Sequence, residues 1–249
     1  MPSLGSHLVR ARVVAERLAL PEIDRDRGSF YLGATAPDIR VLTRLDREVT
    51  HFFRLGDLGA QDSVERMFLE HPELARPAGM ETATTAFIAG YLTHLVLDES
   101  FIADIYRPAF GPQSPIDEDP RSNILDRALQ YEMDRRDRED RDTMEEIRAT
   151  LASCVPVSGI PFIEDHFLAE WVTVTESVAG QPPDYSRFHR MMVRHFQVAG
   201  FDAERIEQEC ADPEGLVREA FGIVTPERVE RFWRDAEDRM TERVRTYLR

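Results

Sequence analysis

Apolar residues recur at helical spacing along almost the whole chain, and β-branched residues alternate with polar ones over no run long enough to read as a strand. The pattern predicts an all-α fold. A first helix is expected over residues 6–20, with Ser6 as its N-cap, Leu8, Val13, Val14 and Leu18 among its apolar positions, and Pro21 as its stop. A short second helix is expected over 29–36, ending where Pro37 pushes the preceding residue out of the helical region. Further helices are predicted over 61–70, 81–106, 121–152, 161–178, 184–198 and 225–248. Pro108, Gly111, Pro112, Pro115 and Pro120 mark the main internal loop, and Gly180-Gln181-Pro182-Pro183 a second one.

One predicted helix departs from the amphipathic norm. From Ala86 to Glu99 it is apolar on nearly every side, as in a helix buried at the centre of a domain, yet it carries His94 and Asp98 four residues apart. That spacing puts both side chains on one face. A buried carboxylate beside an imidazole needs a cation or a full set of hydrogen bonds, so the pair reads either as a structural His-Asp bond or as two ligands of one metal. Other chemistry-bearing residues have similar surroundings. Asp38 follows the small-residue turn Gly33-Ala34-Thr35-Ala36, where a backbone approaches a ligand closely, His51 lies in Thr50-His51-Phe52-Phe53, and His7 opens the first helix. Three histidines and two aspartates form a candidate ligand set. Zn²⁺ accepts this mixture of imidazole and carboxylate, and a bridging carboxylate serves a second ion.

Composition narrows the chemistry further. The 249 residues hold 46 Asp+Glu against 31 Lys+Arg, a formal charge of -15, and no lysine, so every one of those cations is arginine. A phosphate-loop nucleotidase and a Schiff-base enzyme both need a lysine amine and are excluded. No G-x-S-x-G, G-x-G-x-x-G or H-E-x-x-H motif is present either. The acidic balance disfavours nucleic acid and anionic bilayers as partners. Cys154 and Cys210 lack C-x-x-C spacing and are expected to be reduced packing residues. The start shows no basic region followed by an apolar run, and the longest apolar stretch is interrupted by Thr93 and His94, so the expectation is a cytoplasmic protein without a transmembrane segment. The length suits a single helical domain over 1–249, with the metal-site motifs in 1–106 and the helices of 121–248 completing the core.

Taken in order, Phe30-Tyr31-Leu32-Gly33-Ala34-Thr35-Ala36-Pro37-Asp38-Ile39, then Thr50-His51-Phe52, then Gly90-Tyr91-Leu92-Thr93-His94-Leu95-Val96-Leu97-Asp98 resemble the zinc-dependent phospholipase C family over roughly the first hundred residues. The resemblance implies an all-α fold of the phospholipase C/P1 nuclease type around one to three zinc ions. It implies a first metal site of Asp38, His51, His94 and Asp98, with Asp98 bridging to a second site that includes His7, and Asp38 as the catalytic group that orients or deprotonates the attacking water. The family also uses later His and Glu ligands. The candidates here are His166 with Glu170, spaced H-x-x-x-E on a predicted helix, and Glu132; the competing reading of each is a structural side chain.

The remaining polar features have plainer readings. His71, His189, His195, Trp171 and Trp233 are expected at helix ends or in packing faces, and the charge run from Asp134 to Asp142 as a solvated helix or helix junction. Arg40, Arg44, Arg47 and Arg54 lie between Asp38 and the residues just past His51, where guanidinium groups either clamp a phosphate or pair with Asp46 or Asp57. The function expected is a zinc-dependent hydrolase acting on a lipid or small soluble phosphoester. The alternatives are a different metal hydrolase and a non-catalytic protein with a buried His/Asp network or structural metal.

Overall fold

A computed structural model describes residues 1–249, and every regular element in it is helical. Helices of five or more residues are α1 (Leu4–Leu18), α2 (Arg27–Thr35), α3 (Arg47–His51), α4 (Ser63–Glu70), α5 (Thr82–Phe101), α6 (Ser122–Asp137), α7 (Arg141–Ala152), α8 (Asp165–Ala179), α9 (Phe188–Val198), α10 (Ala203–Cys210), α11 (Pro213–Ile223) and α12 (Pro226–Leu248). After α5 the helix relaxes into a π turn over Ile102–Tyr106 before it ends. The all-α expectation holds.

The fold is organised on α5, whose apolar surface meets α2 on one side and α12 on another. Fifteen of its twenty residues are buried, His94 and Asp98 among them. A window of this helix within Thr82–Ala109 is apolar enough to cross a membrane by composition, but 83% of that window is buried inside the protein, so core packing accounts for its character. Glycines set how closely α5 meets α2. A Cβ on Gly33 would lie 2.0 Å from the Phe87 carbonyl oxygen, and one on Gly90 would lie 1.9 Å from that of Phe30. Each helix therefore lends the other a groove that only glycine leaves open, and the backbones meet at a separation no larger residue allows. Trp171 of α8 closes the outer side of α2, donating Nε1–H to the Thr35 hydroxyl at 3.2 Å. The hydrophobic core is one contiguous cluster of 56 buried residues drawn from both halves of the chain.

Four expectations need correction. α1 begins at Leu4 rather than at a Ser6 cap, because the Ser6 N–H is satisfied at 3.0 Å by Asp134, a residue 128 positions away. The predicted helix over 121–152 breaks after Asp137, and Asp140 caps a new one by accepting the Thr143 N–H at 3.1 Å. The charge run at that break is a helix junction, as one reading had it, and Arg136 and residues 139–142 are solvated, but the run is not solvated throughout. Asp134 and Arg138 are buried and paired at 2.7 Å, Asp137 takes Arg10, and Arg138 also donates to the Gln181 and Pro182 carbonyls. Finally, α10 and α11 lie where no helix was predicted. Both are short and open on aspartate caps, Asp202 and Asp212, which read locally as turn residues.

Candidate metal centre

Four segments deliver side chains to one point. α5 presents His94 and Asp98 from adjacent turns. The first turn of α1 presents His7, the short turn Ala36–Ile39 after α2 presents Asp38, and the last residue of α3 presents His51. The His7 Nε2 lies 3.4 Å from Asp98 Oδ1, while His51 and His94 point their Nε2 atoms at Asp98 Oδ2 from 3.4 and 3.6 Å. His51 Nε2 is also 3.4 Å from Asp38 Oδ1. The His7 and His94 rings stack with centroids 3.7 Å apart, and His51 meets His94 edge-on at 5.2 Å. Two overlapping groups, His7 with His94 and Asp98, and Asp38 with His51 and His94, each place their ligand atoms within 4.8 Å of one another.

The outer nitrogens hold the inner ones in place. His94 Nδ1 lies 2.9 Å from the Ala34 carbonyl, so it carries the proton, and Nε2 faces the cluster. That carbonyl is within reach because Gly33 and Gly90 bring the two helices together. His51 Nδ1 is 3.0 Å from the Thr50 hydroxyl, and Tyr91 donates to the Thr50 carbonyl, which ties α3 to α5. The inner atoms are left unpaired. Nε2 of His7, His51 and His94, and Oδ1 of Asp98, are buried with no hydrogen-bond partner. A group of this kind costs roughly 1–3 kcal/mol per orphaned atom, more for a charge, and a cation bound among the five side chains would satisfy all four at once. Imidazole nitrogens and carboxylate oxygens are the donor set that zinc takes, so the residues fit the ion.

Electrostatics follows from burial. Burial drives His51 down to about 4 against the pull of Asp38, and burial together with the charge of His94 lowers His7. Burial also opposes protonation of His94, but the Asp98 carboxylate outweighs it and holds His94 above the usual histidine range. Stacked imidazoles at this distance resist being charged together, which pushes His7 down while Asp98 pulls His94 up. Asp98 stays ionised despite its burial because His94 and His7 face it, and the nearby His51 and His94 hold Asp38 low in the same way. Asp38 differs from the rest in access. Its side chain is 27% exposed, whereas those of His7, His51, His94 and Asp98 are at most 4% exposed, so the cluster meets solvent at Asp38.

Sequence reading did not assign Asp98 its guanidinium partner. Arg47 donates Nη2–H to Asp98 Oδ2 at 2.8 Å, and it sits four residues before His51 on α3, so the same helical turn supplies both. That i,i+4 spacing was visible in the chain; that α3 exists was not. The other arginines of the segment differ: Arg54 is exposed and pairs with Glu48 at 3.0 Å, not with Asp46 or Asp57.

The three weaker metal candidates do not join the cluster. Glu132 is buried by Arg135 at 2.7 Å, Arg136 at 2.6 Å and the Tyr185 hydroxyl at 2.7 Å, so its oxygens are already committed. His166 is 64% exposed and lies against Glu164, while Glu170 is exposed on the outer face of α8. Their right spacing fell on the solvent side of the helix. The third zinc site implied by the resemblance therefore gains no ligand from these residues. Among the histidines read as packing residues, His71 rests against Phe52 and Phe162, and His189 is a surface residue bonded to Glu207.

The chain matches no protein-family model, and no curated protein and no solved structure is significantly similar to it.

Proposed function

We propose that the protein is a metal-dependent phosphoesterase, with His7, Asp38, His51, His94 and Asp98 holding zinc. The observation that carries the reading is the convergence of three unpartnered imidazole nitrogens on two carboxylates in a buried cluster that reaches solvent at Asp38. When bound, zinc supplies Lewis acidity that makes water a nucleophile near neutral pH. The residues divide the remaining work by position. Asp98, buried and contacted by all three histidines, holds the cluster together through both of its oxygens. Asp38, at the mouth, orients an incoming water and takes its proton at the carboxylate. Arg47, donating to Asp98, balances part of the carboxylate charge, so that the site would not repel an anionic ester once metal is held.

The stretch of chain around Asp38 and His51 bears on the substrate. Val41, Leu45, Val49, Leu55 and Leu58 are exposed apolar residues within one short stretch of the chain. Leu45 and Val49 line a groove of about 430 Å³ with Phe162 and Phe167. Such a groove suits a phosphoester with an apolar substituent. The net charge of -15 weighs against an anionic membrane as its source.

A second reading, a closed structural metal centre, is favoured by the burial of four of the five ligands. Metal analysis of protein purified without chelator, with hydrolysis assays on phosphomonoester, phosphodiester and phosphatidylcholine substrates, decides between them. Near-stoichiometric zinc, lost in Asp98→Asn, with turnover that Asp38→Asn abolishes while retaining most of the metal, is the expected result. Zinc bound without turnover of any ester leaves the structural centre. Substoichiometric metal, with thermal stability unchanged in His94→Ala, sinks both readings.

A further inference from the structure

His7 is held differently from the other two imidazoles of the cluster. His94 and His51 each tie an outer nitrogen to a neighbouring group, the Ala34 carbonyl and the Thr50 hydroxyl, whereas the aim of His7 follows from where α1 lies. Two aspartates of α6 decide where that is. Asp134 Oδ1 accepts the Ser6 N–H at 3.0 Å, at a helix end whose own cap residue, Ser3, makes no side-chain bond. One turn further along, Arg10 closes on Asp137 and, at 2.7 Å, on Glu237 of α12. The seat at Ser6 is tight: a Cβ on Gly5 would lie 2.5 Å from Asp134 Oδ1 and 2.6 Å from Arg138 Cδ. Asp134 and Asp137 are three residues apart on one face of α6, and Ser6 and Arg10 four apart on one face of α1. The first contact stops α1 along its axis, and the second fixes its rotation. His7, about 100° round the helix from Ser6, is aimed by both.

We propose that Asp134 and Asp137 are positioning residues of the metal centre, gripping α1 at Ser6 and Arg10 so that His7 Nε2 meets Asp98 Oδ1 and its ring stacks on that of His94. Asp134 is 7% exposed and Arg138, its partner at 2.7 Å, 4%. A buried ion pair adds little net stability over apolar side chains of the same size, and what it supplies here is a single register for the helix. Arg138 carries the pair on to the Gln181 and Pro182 carbonyls, so the second half of the chain sets the geometry of a cluster whose five side chains all come from the first. The purpose of the grip rests on the zinc reading, but the register is a property of the protein without metal.

Two measurements on the full chain test the grip. In chelator-stripped protein, the ring-proton resonances of His7 and their NOE to the His94 ring read the stacking, and zinc titration reads the ligand. Asp134→Ala and Gly5→Ala, which disturb one contact from its two sides, should shift the His7 resonances, weaken that NOE and lower zinc affinity about 10–100-fold. Asp134→Asn keeps an acceptor oxygen for the Ser6 N–H and should restore part of both. Glu132→Gln, on the same helix but committed to Arg135 and Arg136, controls for lost stability and should leave the His7 ring in place. His7 resonances and zinc affinity that are no more disturbed in Asp134→Ala and Gly5→Ala than in Glu132→Gln overturn the proposal. Gly5→Ala decides alone if Asp134→Ala fails to fold, since it removes neither partner of the contact. If the wild type holds no zinc, the zinc reading falls and the stripped-protein spectra decide: a displaced His7 ring in Gly5→Ala sustains the grip, and an unmoved ring overturns it.

Discussion

Glu132 and His94 show how the partners of one residue decide between support and chemistry. Burial alone would raise the Glu132 pKa, but hydrogen bonds from Arg135, Tyr185 and Arg136 hold it below the ordinary glutamate value. A depressed acid contributes stability above its unfolded pKa and loses it as pH falls through the folded value. Glu132→Gln should therefore cost about 1–2 kcal/mol at pH 7, with the deficit shrinking below the normal glutamate range and zinc content unaffected. Urea unfolding across pH measures it, and a deficit that persists in acid refutes the assignment. The Asp98 carboxylate holds His94 above the ordinary histidine range, while His51, at about 4, and His7, also lowered, are neutral at pH 7. A ligand must give up its proton to bind a metal, so zinc affinity should fall as pH drops and more of His94 is protonated. Zinc titrations across pH measure it, and an affinity independent of pH would mean that His94 is not a ligand.

The contact between α2 and α5 joins packing to chemistry, because the separation that Gly33 and Gly90 permit also carries the Ala34 carbonyl to His94 Nδ1. Gly90→Ala places a methyl group on the Phe30 carbonyl and forces the helices apart. A loss of about 1–3 kcal/mol or more is expected, together with weaker zinc retention as the His94 ring loses its anchor. Thermal unfolding with parallel metal analysis tests the coupling: lost stability with zinc affinity intact would show that the helix contact supports only the core. At this scale the sequence was partly legible. The long apolar helix, its His-Asp pair and the small-residue turn before Asp38 were all readable. The five-residue α3 was too short for periodicity to register, although it supplies both Arg47 and His51. The junction after Asp137 was hidden in a charge run because the burial of Asp134 and Arg138 depends on α1 and the 181–182 loop lying over them.

Across the whole molecule, on the phosphoesterase reading, an acidic surface and an apolar groove would act on substrate in opposite ways: charge disfavours anionic bilayers, while the Leu45–Val49 groove suits an apolar ester group. Val49→Asp should lower kcat/KM several-fold for a long-chain phosphoester and leave that for a short soluble ester within about twofold. Equal losses on both would place Val49 in the metal centre's support rather than in substrate selection. The sequence by itself determined the helical class, the central position of the 81–106 segment and the five candidate ligands, because periodicity, glycine placement and the cost of burying charge are local properties of the chain. Tertiary structure decided which polar residues meet. It brought His7 and Asp38 to a histidine and an aspartate more than fifty positions further along, and it gave Arg47 to Asp98. It turned Glu132 toward Arg135 and Arg136 and left His166 and Glu170 in solvent, because the direction a helix face points is set by what packs on it, which spacing alone does not encode.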